Sequence, residues 1–369
     1  MKNVLAIGLL LLFNANCFKL RAQRDSTHHT QEFFVSGLVD LFYVYDFSQP
    51  QNTKRQPFLS NYDRHNEINL NLGFMKLATE HNRYRANIAL QTGTYVNDNY
   101  AAEPEVLKNI LEANVGISLH RENKVWLDVG IMPSHIGFET AVAIENPNMT
   151  RSILAENSPY FMTGAKLTFC MNKHWEIAGL ILNGWQRIQR LPGNSLPSLG
   201  TQIVFKHSPS TIFNWSTFIG TNDPDSTRRM RYFNNFYSKH QVSNKFGLVL
   251  GFDIGTQQRT KNSSVFDVWF SPVIIGQFTV AKNWKTAFRA EYYQDKTGII
   301  IPTGTPNGFE TFGFSVNLDY SPVEIILCRL EVRWLNSKDN IFESPDRLVN
   351  NNFIIGTSMT FNFSENLSR

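Results

Sequence analysis

Charged side chains embedded in otherwise alternating stretches are the first candidates for chemistry. Lys285, Arg289 and Glu291 share one parity with Ala287 and Tyr293, and Arg329, Glu331 and Arg333 share one with Ile325 and Leu327. Residues two apart on a strand line one face. A base placed in hydrocarbon at mid-depth costs about 2–4 kcal/mol, so these faces point to a wet interior. A second set lies in one long connection, residues 132–160, which carries Glu139, Glu145, Arg151 and Glu156. Such groups would make no bond, but charge at a narrowing selects ions. Folded inward, this stretch would narrow a lumen; folded outward, it would be an ordinary solvated loop. The strand charges also have two readings. They either form opposed acidic and basic walls with a field between them, to which Arg229 and Arg231 would add, or pair and hold the interior in shape.

Catalysis has little to stand on. Ser134-His135 supplies two residue types of a hydrolase, but adjacent strand residues point apart, and a triad is defined by geometry. His28-His29, His81, His120, His174, His207 and His240 lack the spacing of metal ligands. No cofactor is implied.

The elements that must position these charges are strands. Phe312, Phe314, Val316, Leu318 and Tyr320 alternate with Thr311, Gly313, Ser315, Asn317 and Asp319. Ile68, Leu70, Leu72 and Phe74 alternate with Glu67, Asn69, Asn71 and Gly73, and Phe246, Leu248, Leu250 and Phe252 with Lys245, Gly247, Gly251 and Asp253. The runs match the 9–11 residues of a tilted membrane strand and exceed the roughly 5–6 usual in soluble sheets. Aromatics make up 13% of the chain, with 29 Phe among 369 residues, and rings recur at the ends of the runs, as in the girdles of a membrane barrel. Mean hydropathy is −0.26, too low for a helical membrane protein. Lipid tolerates no open sheet edge, so a spanning sheet must close.

Such runs fall near 33–46, 66–77, 83–95, 108–119, 124–131, 161–171, 174–184, 200–207, 212–220, 230–240, 245–255, 265–280, 284–294, 311–320, 324–334 and 353–363. They predict an all-β, transmembrane antiparallel barrel of about sixteen strands. The run at 265–280 could instead hide two short strands around Pro272. Asn172-Lys173, Ala281-Lys282-Asn283 and Ser321-Pro322 read as tight periplasmic turns, and 47–65, 96–107, 132–160, 185–199, 221–229, 295–310 and 335–352 as long outer loops. The last strand ends in Phe363, like the signal read by the barrel-assembly machinery, before a polar tail, Ser364 to Arg369.

Residues 1–22 have the form of an export signal, with Lys2, an apolar run from Val4 to Phe13, and Ala22 before the cut. Removing them takes the formal charge from +4 to +1, which leaves no argument for nucleic acid. Residues 23–32 form a short lead, and 33–369 a single barrel. Cys170 falls on a polar parity and Cys328 on an apolar one, so a disulfide is not expected.

A resemblance accompanies this pattern. The 132–160 stretch, Thr163-Gly164-Ala165-Lys166-Leu167, Leu182-Asn183-Gly184-Trp185-Gln186, Arg289-Ala290-Glu291-Tyr292-Tyr293-Gln294-Asp295-Lys296, Asn307-Gly308-Phe309 and Leu330-Glu331-Val332-Arg333 resemble the porin-2, OmpL-like outer-membrane barrels of Bacteroidetes. The resemblance implies a lipid-embedded barrel that passes small hydrophilic solutes, and it names no particular solute. A non-conducting barrel for binding, adhesion or structure is the alternative. A homo-oligomer is open, with no residue marking an interface.

Overall fold

The computed structural model describes residues 31–368. The expected export signal and residues 23–30 of the lead lie outside them. Within them, alternation closes a sheet. The strands are β1 (Glu32–Asp46), β2 (Ile68–Glu80), β3 (Tyr84–Thr92), β4 (Ile110–Ser118), β5 (Val125–Pro133), β6 (Phe161–Cys170), β7 (Trp175–Leu182), β8 (Ser198–Ser208), β9 (Thr211–Gly220), β10 (Arg231–Ser243), β11 (Phe246–Gln258), β12 (Phe266–Ala281), β13 (Trp284–Asp295), β14 (Phe309–Val323), β15 (Ile326–Ser337), β16 (Phe342–Glu343), β17 (Leu348–Val349) and β18 (Asn351–Asn366). β16 and β17 form a small ribbon in the last long loop, and the other sixteen strands close a barrel in which β18 pairs with β15 and β1. All neighbours are antiparallel, as short hairpin turns require.

Alternation sorts the side chains as the sequence predicts. Phe312, Phe314, Val316 and Leu318 of β14 face outward and are exposed, while Thr311, Ser315, Asn317 and Asp319 are buried inside. Rings cluster at both rims. Trp175 stacks on Phe205 at 4.4 Å and Trp284 on Tyr320 at 4.5 Å near the short turns, and Tyr292 meets Phe312 at 4.6 Å near the long loops. Short turns mark the periplasmic end of such barrels and long loops the outer end. No helix among the described residues is long and apolar enough to cross a membrane; the strands make the crossing.

Three details depart from expectation, at β2, at the β14–β15 turn and in the terminal tail, and one open alternative, at β12, is resolved in favour of a single strand. β2 carries a bulge, since Asp40 pairs with Leu72 but Leu41 with Leu70. The extra residue reverses the alternation, so Leu72 is buried inside while Met75 and Leu77 face out. Bulging frees Asn71 to donate to Asp40 Oδ2 and accept from the Tyr62 N–H, both at 3.0 Å. The turn expected at Ser321-Pro322 instead falls at Glu324-Ile325, because β14 continues to Val323, which pairs with Ile326. β12 is one strand. Pro272 points outward, and the Tyr292 carbonyl beside it takes a bond from Ser271 Oγ at 2.7 Å. Finally, the polar tail after Phe363 is partly strand, with Ser364, Glu365 and Asn366 opposite Ser36, Val35 and Phe34. Cys170 and Cys328 are free thiols.

Candidate functional site: a loop clamped inside the barrel

The wall supplies an irregular charged patch on β13, β14 and β15. Pairing places Arg289, Ser315 and Arg333 in one row, Ala287, Asn317 and Glu331 in the next, and Lys285, Asp319 and Arg329 in the third. Small inward residues on β14 let long side chains meet across it. A Cβ on Gly313 would lie 2.7 Å from Glu291 Cγ. Arg333 Nη2 reaches Glu291 Oε1 at 2.7 Å, Arg289 lies 3.2 Å from both Glu291 and Glu331, and Arg329 lies 3.0 Å from Asp319. All six side chains are at most 6% exposed. Acid and base thus occupy the same strands and pair, so the opposed walls weighed above are not formed by these residues.

What buries them is the connection between β5 and β6, residues 134–160. It turns into the barrel and is bonded to the wall on several sides. Gly130, just before it, sits at φ 132, and a Cβ there would fall 2.1 Å from the Ala113 carbonyl oxygen; only glycine tolerates both the angle and the approach. The His135 carbonyl then accepts from Gln202 of β8 and Ser216 of β9, at 3.1 and 2.6 Å. Gly137 N–H donates to Asn235 of β10 at 3.1 Å. Phe138 packs with Val273 and Ile275 and against Tyr237 and Val249. Further along, Met149 N–H donates to Asn317 at 3.0 Å and Ile153 N–H to Glu291 at 2.6 Å. Ser158 Oγ reaches Asp253 of β11 at 2.6 Å.

Thr150 is the centre of the clamp. Its N–H and Oγ1 donate to the two oxygens of Glu331, at 2.6 and 2.8 Å. Its carbonyl accepts from Arg289 Nη1 at 2.6 Å, and its hydroxyl oxygen from Arg289 Nη2 at 2.9 Å. Arg329 adds bonds to the carbonyls of Ala143 and Asn148, at 3.1 and 2.7 Å. The loop is also tied to itself. Arg151, fully buried, donates to the carbonyls of Thr140 and Ala141, and Glu139 accepts from the N–H and hydroxyl of Ser152. Charge-assisted bonds of this kind are about twice as strong as neutral ones.

Glu156 joins the clamp to the loop between β1 and β2. Its carboxylate accepts from Ser60 N–H at 2.9 Å and from Asn61 Nδ2 at 3.1 Å. Burial pushes its pKa up to about 7. A carboxyl raised above its unfolded value favours the protonated folded state. Its contribution is therefore complete below about pH 4.5 and is lost as pH rises through about 7. Limited proteolysis of the inner loop should show looser docking at pH 8 than at pH 5, and Glu156→Gln should flatten that difference. An unchanged pH difference in the variant would remove Glu156 as its cause.

Among the residues singled out in the sequence, Glu139, Arg151, Glu156, Arg289, Glu291, Arg329, Glu331 and Arg333 meet in this buried network, whereas Glu145 and Lys285 are exposed. The latter two line a polar cavity of about 710 Å³ at the short-turn end, together with Lys282 and Glu324. Sequence reasoning missed the outer end of the lumen. There Phe58 and Leu59, Ile136 and Ile153, Ile301 and Phe342 come from four loops and pack with Phe218, Phe233, Trp269, Tyr293, Phe309 and Leu335 of the wall. Phe58 meets Phe309 edge-on at 4.8 Å, and Trp185 meets Phe233 at 4.9 Å. The available signal was a large apolar residue within the last two inward positions at the outer end of several strands, as at Phe309 of β14, Leu335 of β15 and Phe218 of β9.

A closed sixteen-stranded barrel with a lipid-facing apolar band and a long loop folded into its interior defines a porin-type outer-membrane protein. Solved structures share the architecture at very low identity. An anion-selective porin from Comamonas acidovorans superposes with a TM-score of 0.60 at 8% identity, over 90% of this chain and all of that one. The outer-membrane channel DcaP of Acinetobacter baumannii gives 0.55 at 11%, over 90% and 96%. Salmonella typhi OmpF, in complex with daunomycin, gives 0.56 at 8%, over 90% and 97%. No protein of curated function is a detectable sequence relative. The chain belongs to the family described as "Putative beta-barrel porin-2, OmpL-like", whose model matches residues 32–363. Family and architecture together make it an outer-membrane β-barrel.

Proposed function

We propose that small hydrophilic solutes and ions diffuse through this barrel past a constriction made by residues 134–160. The observation that carries this reading is the inward fold of that loop and its anchorage on β8 to β11 and on β13 to β15. No step of bond chemistry is required, and Ser134 and His135 serve the loop's own fold: Ser134 Oγ accepts from Ile136 N–H, and His135 bonds the β8–β9 wall. Export by residues 1–22, insertion by the barrel-assembly machinery, an outer surface solvated by outer-membrane lipid, a Bacteroidetes source and self-association as oligomers complete the reading. They rest on the leader's composition, the terminal strand, the exposed apolar band and the likeness in fold to Vibrio cholerae OmpT, which has been solved in a trimer form.

Proteoliposome swelling tests it. Folded protein should admit small sugars faster than larger ones, and swelling no faster than in protein-free vesicles would defeat the reading. Selectivity should rest on the exposed charges. Lys285→Glu and Glu145→Lys should move the zero-current potential in a salt gradient in opposite directions, the first toward cations. If neither variant moves it, ions do not pass these two side chains. The apolar packing at the outer mouth favours the rival, a closed barrel whose loops bind a partner; a folded barrel without swelling would support it.

A further inference from the structure

The outer end of the wall between β9 and β12 holds a cavity of about 290 Å³ lined by three arginines and two aspartates. Two of the arginines are neutralised, Arg229 by Asp223 at 2.8 Å and Arg259 by Asp267 at 2.6 Å. Arg231 is not. Its guanidinium lies over the rings of Trp185 and Trp269, at 4.9 and 5.6 Å from their centroids. Its Nε and Nη2 both donate to the neutral Gln257 Oε1, at 3.0 and 2.8 Å. Among the described residues it forms no ion pair. The acid at this end of β13, Asp295, is committed to the N–H groups of Ile299, Ile300 and Ile301.

A guanidinium carries five N–H donors, and Gln257 engages two of them. The side chain lines a small cavity whose three arginines and two aspartates leave one uncompensated positive charge. A cation held between rings without a counter-ion has lost hydration that an entering anion replaces, and its planar fork suits a two-oxygen acceptor. Arg231 and Gln257 share the inward parity of Phe233 and Gly255, so the ligand comes from the aqueous mouth rather than from lipid.

We propose that this cavity binds a small oxyanion, the carboxylate or phosphate group of a solute, seated on Arg231. The site stands apart from the inner-loop clamp and does not depend on conduction. Trp185 and Trp269 report on it directly. Inorganic phosphate and acetate are titrated separately into the detergent-folded protein against sodium chloride at matched ionic strength. A saturable change in tryptophan emission is expected with at least one of them, and the stronger response identifies the preferred group. Arg231→Gln should abolish it or raise half-saturation at least about tenfold. Arg231→Lys should retain weakened binding. Gln257→Glu, which sets an internal carboxylate against the guanidinium, should abolish binding while leaving Arg231 in place, and heat-shifted gel mobility checks that each variant is folded. No saturable change in the unaltered protein, or an equal change in Arg231→Gln or Gln257→Glu, overturns the proposal. Saturable binding by a barrel that gives no swelling would refute diffusion and keep the site; swelling without binding would do the reverse.

Discussion

Replacing residues 139–156 by a short Gly-Ser linker should raise single-channel conductance severalfold while the barrel still folds. The barrel's own ladder does not run through that segment. Each wall strand pairs with its neighbours over most of its length, and the loop contributes bonds only to inward side chains and carbonyls. Removal would expose Arg289, Arg333, Glu291 and Glu331, now at most 4% exposed, to lumen water. Those groups would then be solvated rather than orphaned, which is why the barrel should survive. Ion preference should become sensitive to swaps at Arg289 and Arg333 only in this shortened protein. In the intact one, the same swaps should loosen the loop before they alter selectivity, because the two arginines face protein. A shortened barrel that folds and conducts no better than the original would mean the obstruction lies elsewhere, in the apolar packing of the mouth.

The second large effect belongs to Glu331. Its two oxygens accept from the Thr150 N–H, the Thr150 hydroxyl and Arg289. Glu331→Ala removes all of these and leaves Arg289 buried with only Glu291 as ion-pair partner. Breaking one side of a buried, hydrogen-bonded ion pair costs roughly 3–5 kcal/mol. A loop is among the first parts of a structure to open when its contacts weaken, so that cost should be taken mostly as undocking of residues 134–160. The expected signature is noisy, higher conductance and cleavage of the loop by protease at concentrations that leave the unaltered protein intact. Glu331→Gln keeps the shape and one acceptor and should fall between. Quiet currents and full protease resistance in Glu331→Ala would show that the clamp is not what holds the loop.

Most of the barrel could be read from alternation because each strand has one lipid face and one interior face, and lipid penalises errors. β14 carries that contrast without interruption from Thr311 to Leu318, and Phe312, Phe314, Val316 and Leu318 lie outward as the alternation predicts. β2 misled because its interior face is also apolar near the bulge. Leu72 and Phe74 pack inward with Tyr95 and Val96, so nothing in the pattern marks the change of parity at Asn71. The charges of β13 and β15 were recognised as interior, but their partners were not. Glu291 pairs with Arg333 across a whole intervening strand, an encounter that depends on register and on Gly313 being small. The direction of the inner loop was equally hidden. Glu139, Arg151 and Glu156 would suit a solvated loop as well as a buried one; what fixes them inside is Thr150 and backbone N–H groups meeting carboxylates some 140 to 180 residues further along the chain.

Single-channel recording of the folded mature barrel in a planar bilayer tests the central claim most directly. Small, stable, ohmic steps that grow when Glu331 is replaced by Ala are expected of a pore narrowed by a clamped inner loop. A correctly folded and inserted barrel that gives no steps, with or without Glu331, would contradict it.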